Sequence, residues 1–408
     1  MGFHMRKTFA AIVFQLAGMV TATSALCADA DLDAMIRHTM TSFGFPGMQT
    51  IIIKDGRVVW SKSYGYAVLD QPGPRRAMRD DSILFSASVT KMFVTVALMQ
   101  QVEKGTVALD DDINRHLPFS VRNPEWPGVP ITLRMLLSHS SSLNSEDDAR
   151  ANETTVYGLN PSVSLEEIVK ADFAPGGARR WVNQFTHQKP GTERIYSNDG
   201  YVLAAYVLQN VIRQSFDSYV DQFILKPLKM TDTSFWLQDR PIERFAVGYA
   251  SLRQKNGHYS YTPARTFWEH GKGGASVVDN QVTCPDYPAG CAHISSRDFS
   301  KFMLMLMNAG TLDGVQVLSR ASVEAMITPT GLRTLDGRMQ GLGLDGPEDL
   351  RGRQVWGKDG EDRGAANAFY FNPKTHVGAI VFANGMDPEF TLTYTVDDLA
   401  LHLMSWFE

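Results

Sequence analysis

One stretch, Phe85-Ser-Ala-Ser-Val-Thr-Lys-Met, constrains this chain more than any other. From Met92 to Met99 the residues are apolar but for Thr95, and the run continues through Val102 to Glu103-Lys104-Gly105, where glycine supplies a helix stop. A helix that is hydrophobic on every side belongs inside a protein. Ser88 falls at the first turn of that helix, with Lys91 one turn on and on the same face. An ammonium buried there is costly unless it is used or neutralised. Desolvation and the positive end of the helix dipole both lower its pKa, which suits a base that takes a proton from a serine. Ser-x-x-Lys also arises by accident in many chains, so its meaning depends on what the rest of the sequence supplies.

The rest is ordinary globular protein with room for two sub-domains: 408 residues, 44% hydrophobic, 20% charged, net charge −5. No basic patch or repeat invites nucleic acid, and beyond the N-terminus no apolar run is long enough to span a membrane. The N-terminus has Met5-Arg6-Lys7, then an apolar run from Phe9 to Val20 interrupted only by Gln15, then Ala28-Asp29-Ala30. This reads as a secretory signal peptide over residues 1–30, with an uncleaved anchor as the alternative, and places the mature chain in the periplasm or outside the cell. Of three cysteines, Cys27 precedes the cut. Cys284 and Cys291 remain, with six residues between them in a Pro/Gly loop. In an oxidising compartment they suit a disulfide; the alternative is two reduced, half-buried thiols.

Along the chain, Leu32–Phe43 is helical in period. Met48–Ile53 and Val58–Val68 read as strands joined at Asp55-Gly56, a hairpin signal. After Asp110-Asp-Asp the sequence turns helical and loop-rich, with helices from Ser164 and from Asn198 to Arg213, then turns back toward strands around Pro227–Phe235. Gly271-Lys-Gly-Gly-Ala lacks the spacing of a phosphate loop and reads as a flexible turn. A helix over Ser296–Asn308 is followed by strands at Gln354–Trp356, Ala368–Phe371 and Val377–Ala383, and a helix over Leu392–Trp406. Strands at both ends with helices between predict an α+β sandwich. Its central antiparallel sheet would be built from residues 31–110 and 241–408 and flanked by helices, with a mainly helical insert over 111–240.

Two further patches complete the pattern. One is Pro190-Gly-Thr-Glu-Arg-Ile-Tyr196-Ser-Asn198, a tight turn leading to a phenol and a carboxamide just before a helix. The other is Trp356-Gly-Lys358-Asp359-Gly360, read as a strand ending in Lys and Gly, followed by a loop and the strand around Phe369. Together with Ser88-Val-Thr-Lys91, and with Thr132-Leu-Arg-Met-Leu-Leu-Ser-His, Gly200-Tyr-Val-Leu and Lys226-Pro-Leu-Lys-Met-Thr-Asp-Thr in the same order, they resemble the class C β-lactamase family of serine hydrolases. That family has penicillin-binding-protein, D-aminopeptidase and carboxylesterase relatives, and the likeness spans nearly all of the mature chain. It implies a β-lactamase/transpeptidase-like fold with Ser88 as the nucleophile, Lys91 as its neighbouring base and Tyr196 as a second proton handler. Asn198, Lys358, Asp359 and Gly360 would line the substrate, and the backbone N–H groups of Ser88 and Glu361 would form the oxyanion hole.

Acylation by Lys91 or by Tyr196 stays open at this level, since coupled groups share their titration. His139 reads as structural: no Gly-x-Ser-x-Gly elbow accompanies it, and the histidine spacings suggest no metal. The chain departs from the family at Lys358-Asp359-Gly360, where β-lactamases carry Lys-Thr-Gly. If Asp359 lines the cleft it repels anionic substrates, which favours neutral esters or amides with a nearby amine over β-lactams. If it points away, it pairs with Lys358 or Arg363. Gly364-Ala-Ala is small where relatives are bulkier, which would widen the cleft. The resulting expectation is a serine hydrolase with no cofactor, acting through a Ser88 acyl-enzyme on a small ester, D-amino acid peptide or β-lactam. The alternative is a non-catalytic peptidoglycan- or β-lactam-binding protein on the same fold. Either way the partner is a small molecule or peptide, not nucleic acid, and no stable membrane span remains after signal cleavage.

Overall fold

The computed structural model describes residues 25–70, 73–144, 156–158, 160–178, 184–269, 271, 276–388 and 393–408. Its centre is one sheet. Strands β1 (Gly47–Lys54) and β2 (Arg57–Val68) form a hairpin whose turn, Asp55-Gly56, has φ of +50° and +75°, the left-handed pair a two-residue hairpin favours. Strand β3 (Arg76–Ala77) continues on that side. The C-terminal third supplies β4 (Met339–Gln340), β5 (Asp345–Gly346), β6 (Trp356–Asp362), β7 (Ala365–Asn372) and β8 (Val377–Ala383). The order is β4-β5-β6-β7-β8-β1-β2-β3, antiparallel throughout. Thr50 lies opposite Val381, so the two ends of the chain close one sheet, as the strand pattern predicts.

Alternation along the strands gives the sheet two apolar faces. Ile51, Ile53, Phe369, Phe371, Ile380 and Phe382 face a core shared with the central helices. Met48, Ile52, Ala368, Tyr370, Ala379 and Val381 face the other way. The second face is covered by helices α1 (Ala25–Phe43) and α6 (Thr393–Phe407), through Leu32, Ile36, Val396, Leu399 and Leu403. Against the first face pack α2 (Lys91–Glu103) and α5 (Ser296–Met307), with α3 (Leu165–Phe173) and α4 (Asn198–Ile212) further out in the same core. Every residue of α2 from Lys91 to Gln101 is buried, which accounts for its unrelieved apolar run. Ser164 and Glu167 form a capping box at the start of α3, and Ser197 caps α4 by accepting from the Gly200 N–H.

Several boundaries differ from those the sequence predicts. The last motif strand runs over Trp356–Asp362, beyond both the expected Gln354–Trp356 and the expected end at Lys358 and Gly360. Lys358-Asp-Gly therefore sits inside a strand that turns only at Arg363-Gly364. Pairing with β7 carries that charged segment through the sheet despite its poor strand propensity. Residues 227–235 are mostly turns, with a single bridge from Ser234 to His293 and no strand: the buried Asp298 carboxylate accepts from the Asp232 N–H and the Thr233 hydroxyl, which satisfies irregular backbone there. Helix α1 begins at Ala25, earlier than Leu32, and covers the Ala28–Ala30 segment. Residues 1–24 of the expected signal peptide, and 272–275 of the glycine-rich turn, lie outside the described residues. Among the described residues no helix is long and apolar enough to cross a membrane.

Candidate active site

The nucleophile's turn is built before the nucleophile. Ala87–Thr90 is a single 3₁₀ turn feeding directly into α2, so Lys91 is the first α-helical residue. Ala87 holds φ at +45°, a left-handed conformation that costs a residue with a Cβ about 1–2 kcal/mol. The surroundings enforce it. The Ser86 N–H and hydroxyl donate to the Ala292 carbonyl at 3.0 and 2.8 Å, the Ala292 N–H donates to Thr90 Oγ1 at 3.1 Å, and the Asn367 amide donates to the Phe85 carbonyl at 3.1 Å. Strand β6 presses against the same turn. A Cβ on Gly360 would stand 2.8 Å from the Ser88 nitrogen and 2.8 Å from the Ser86 carbonyl oxygen, so only glycine allows this approach. Glu361 follows in β6, half-buried and opposite Ala366.

On this turn the three sequence motifs meet. Ser88 Oγ lies 2.5 Å from Tyr196 Oη and 2.9 Å from Lys91 Nζ. Lys91 Nζ also reaches Asn198 Oδ1 at 2.7 Å and the Ala289 carbonyl at 2.5 Å. The amines of Lys91 and Lys358 stand 5.0 and 5.5 Å from the Tyr196 ring centre. His139 fixes the phenol from behind. Its carbonyl accepts from the Ile195 N–H at 2.7 Å, its Nδ1 accepts from the Ser197 N–H at 3.1 Å, and its ring stacks on Tyr196 at 4.4 Å. Burial and the nearby cations Arg194, Lys91 and Lys358 hold the His139 pKa well below 6.5, so the ring is a neutral acceptor. It acts on the phenol's position and does not touch Ser88 in the manner of a triad histidine.

The electrostatics follow from burial and neighbouring charge. Burial lowers the pKa of Lys91, partly opposed by Tyr196. Burial alone would raise the Tyr196 phenol, but Lys91 and Lys358 outweigh it and leave the phenol more acidic than a free tyrosine. Burial disfavours the Lys358 ammonium, yet Asp345 and Asp359 more than compensate and hold it charged. Lys358 Nζ donates to Asp359 Oδ1 at 2.6 Å and to Asp345 Oδ2 at 3.3 Å. Asp359 thus pairs with Lys358, and its second partner is Arg338 at 3.7 Å, not Arg363. Gly364 packs on the Gly248–Tyr249 backbone, and Ala365 and Ala366 are buried in β7.

The sequence reading missed Asp345, Arg194, Arg338 and the Ala289 carbonyl. Only the last had a signal. Cys284 and Cys291 are joined by a disulfide, Cα atoms 6.1 Å apart, and the loop between them carries the Tyr287–Ala289 turn that presents this carbonyl to Lys91. Among the described residues no group of three or more His, Cys, Asp or Glu is placed to hold a metal ion.

Compared with known proteins, the chain is 30% identical over 218 residues to Protein flp of Staphylococcus aureus (strain MRSA252), a match covering 53% of this chain and 40% of that protein. The chain thus matches less than half the length of that relative. Among solved structures, the octameric penicillin-binding protein homologue from Pyrococcus abyssi superposes with a TM-score of 0.71 at 24% identity, covering 93% of this chain and 77% of that one. The D-amino acid amidase from Ochrobactrum anthropi SV3, complexed with L-phenylalanine amide, gives 0.66 at 22% identity, covering 92% and 98%. At these identities the structural likeness concerns the fold. The family model described as Beta-lactamase matches residues 32–402, nearly the whole described chain, and the protein belongs to the β-lactamase family.

Proposed function

We propose that the protein is a serine hydrolase that cleaves an ester or amide through an acyl-enzyme on Ser88. The observation that carries this reading is the placement of Ser88 Oγ within 2.9 Å of the Lys91 amine and 2.5 Å of the Tyr196 phenol. A neutral Lys91 donates its two N–H groups to Asn198 Oδ1 and the Ala289 carbonyl, which aims its lone pair at the serine hydroxyl. Lys91 takes the Ser88 proton as Oγ bonds to the substrate carbonyl carbon, and Tyr196 delivers a proton to the departing alcohol or amine. Water then attacks the acyl-serine, giving its proton to the Tyr196 phenolate, while the Lys91 ammonium returns a proton to Ser88 Oγ as the acid departs. The Ser88 and Glu361 N–H groups serve the oxyanion in both steps. Lys91 and Tyr196 titrate as a pair, each shifting the other.

The kinship with a D-amino acid amidase and a penicillin-binding protein homologue supports acyl transfer on small amides, esters or D-amino acid peptides as the reaction class. The Cys284–Cys291 bridge supports an oxidising compartment, the periplasm or the exterior. Labelling with a fluorophosphonate probe tests the reading. The folded protein is expected to take one label, on Ser88, and Ser88→Ala to take none. A folded wild-type protein that stays unlabelled and turns over no p-nitrophenyl ester would favour the binding-protein alternative.

A further inference from the structure

Behind the reacting groups lies a chain of alternating charge that runs through Lys358. Arg194 Nη2 stands 3.5 Å from Asp345 Oδ1, and Asp345 Oδ2 stands 3.3 Å from Lys358 Nζ. Lys358 Nζ stands 2.6 Å from Asp359 Oδ1, and Asp359 Oδ2 stands 3.7 Å from Arg338 Nη1. Arg338 goes on to Asp336 at 2.7 Å and to Asp397, in α6, at 2.6 Å. The side chains of Asp345 and Lys358 are 5% and 3% exposed, so water does little to screen this pair. Asp345 has no place in any of the three motifs. It arrives through the sheet, where β5 meets β6 at the single pair Asp345–Gly357, one residue before Lys358.

Resting on the acyl-enzyme reading, we infer that Asp345 is a specificity-determining residue: with Asp359 it satisfies the Lys358 ammonium from within the protein and turns the site toward substrates whose leaving group bears no carboxylate. An ammonium has three N–H donors, and two of these are engaged by carboxylates. A substrate carboxylate brought to Lys358 would have to share one cation with two resident anions, and like charges at that distance repel. Arg194 and Arg338 offer no alternative anchor, since each already faces a carboxylate of the same chain. The substrates this favours are esters and carboxamides that are neutral, or carry an amine, beside the scissile bond. Asp345 acts through Lys358 and touches no reacting atom.

Two probes separate this inference from the reading beneath it: the phenylacetylglycine ester of 3-hydroxybenzoic acid, and the same ester made with methyl 3-hydroxybenzoate. They share the scissile bond and differ in one carboxylate. Wild-type protein is expected to hydrolyse the methyl-ester probe with kcat/KM at least tenfold above the carboxylate probe. Asp345→Asn is expected to narrow that ratio about tenfold, mainly through a lower KM for the carboxylate probe. Asp359→Asn, at a less buried position, is expected to move the ratio the same way. Wild-type preference for the carboxylate probe, or variants that depress both probes equally and leave the ratio unchanged, would overturn the inference while leaving the hydrolase reading intact. Turnover of neither probe together with no fluorophosphonate label on Ser88 would overturn both.

Discussion

Tyr196 is held on four sides: by the Ser88 hydroxyl in front, the His139 ring behind, and the Ile195 and Ser197 N–H groups tied to His139 on either flank. Removing only its oxygen should leave that packing in place. Tyr196→Phe is therefore expected to fold normally and lose about a hundredfold or more in kcat with little change in KM, the range typical of a lost proton-transfer group. The pH profile follows from Lys91. Acylation needs its neutral form, and burial lowers its pKa from 10.5, so kcat/KM should fall as pH drops through a limb lying below the ordinary lysine range. A profile flat through mildly alkaline and neutral pH into the acid range would contradict a lysine base. Ser88, Lys91, Tyr196 and Asn198 were legible because their chemistry depends on side-chain identity at short fixed spacings. Ala289 contributes a carbonyl, which any residue would supply, so its only mark is the cysteine pair that closes its loop, and Asp345 reaches Lys358 only through strand register, which leaves no mark.

The elements that matter most are the 3₁₀ turn at Ala87–Thr90 and the strand β6 laid against it. The apolar run after Lys91 foretold the buried helix, but not the left-handed Ala87 in front of it: that conformation is set by contacts with Ala292 and Asn367, more than 200 residues away. The strand containing Lys358-Asp-Gly runs two residues past its expected end for a related reason, since charged residues and glycine resemble a strand end until β7 is there to pair with them. Gly360→Ala tests the contact directly. Its new Cβ would meet backbone nitrogens of Ser88 and Val89 at 2.8 and 2.9 Å, atoms that cannot swing aside. The variant is expected to lose about a hundredfold or more in kcat, as misplaced oxyanion donors do, and about 1–3 kcal/mol in stability by urea titration. Unchanged activity would mean the strand does not set the nucleophile's geometry.

At the scale of the molecule, the sheet closes the chain's two ends on each other and places the site where β6, between β5 and β7, meets the turn that opens α2. That architecture was readable from strands at both termini with helices between. The price of so buried a centre is acid sensitivity. His293 lies under the nucleophile's turn, paired with Phe85 in register and tilted against its ring, and burial pushes its pKa from 6.5 to about 4. Below pH 6.5 the unfolded chain binds a proton there that the folded protein refuses until about pH 4, so stability is lost as pH falls through that window. The loss from this group approaches about 3 kcal/mol, and His139, lowered in the same sense, adds to it. Urea midpoints should fall steadily from neutral pH to pH 4, and His293→Leu should flatten part of that slope; an unaltered slope would remove His293 from the account.

The whole mechanism requires that the Ser88 oxygen form a bond to the substrate's acyl group. Acid-quenched intact-mass measurement with peptide mapping, made within the first turnovers of p-nitrophenyl butyrate, reads that bond directly. The account predicts a transient mass gain equal to one butyryl group, mapped to Ser88 and absent from Ser88→Ala. Hydrolysis of the ester by a wild-type protein that never gains that mass, with full activity retained in Ser88→Ala, would contradict it.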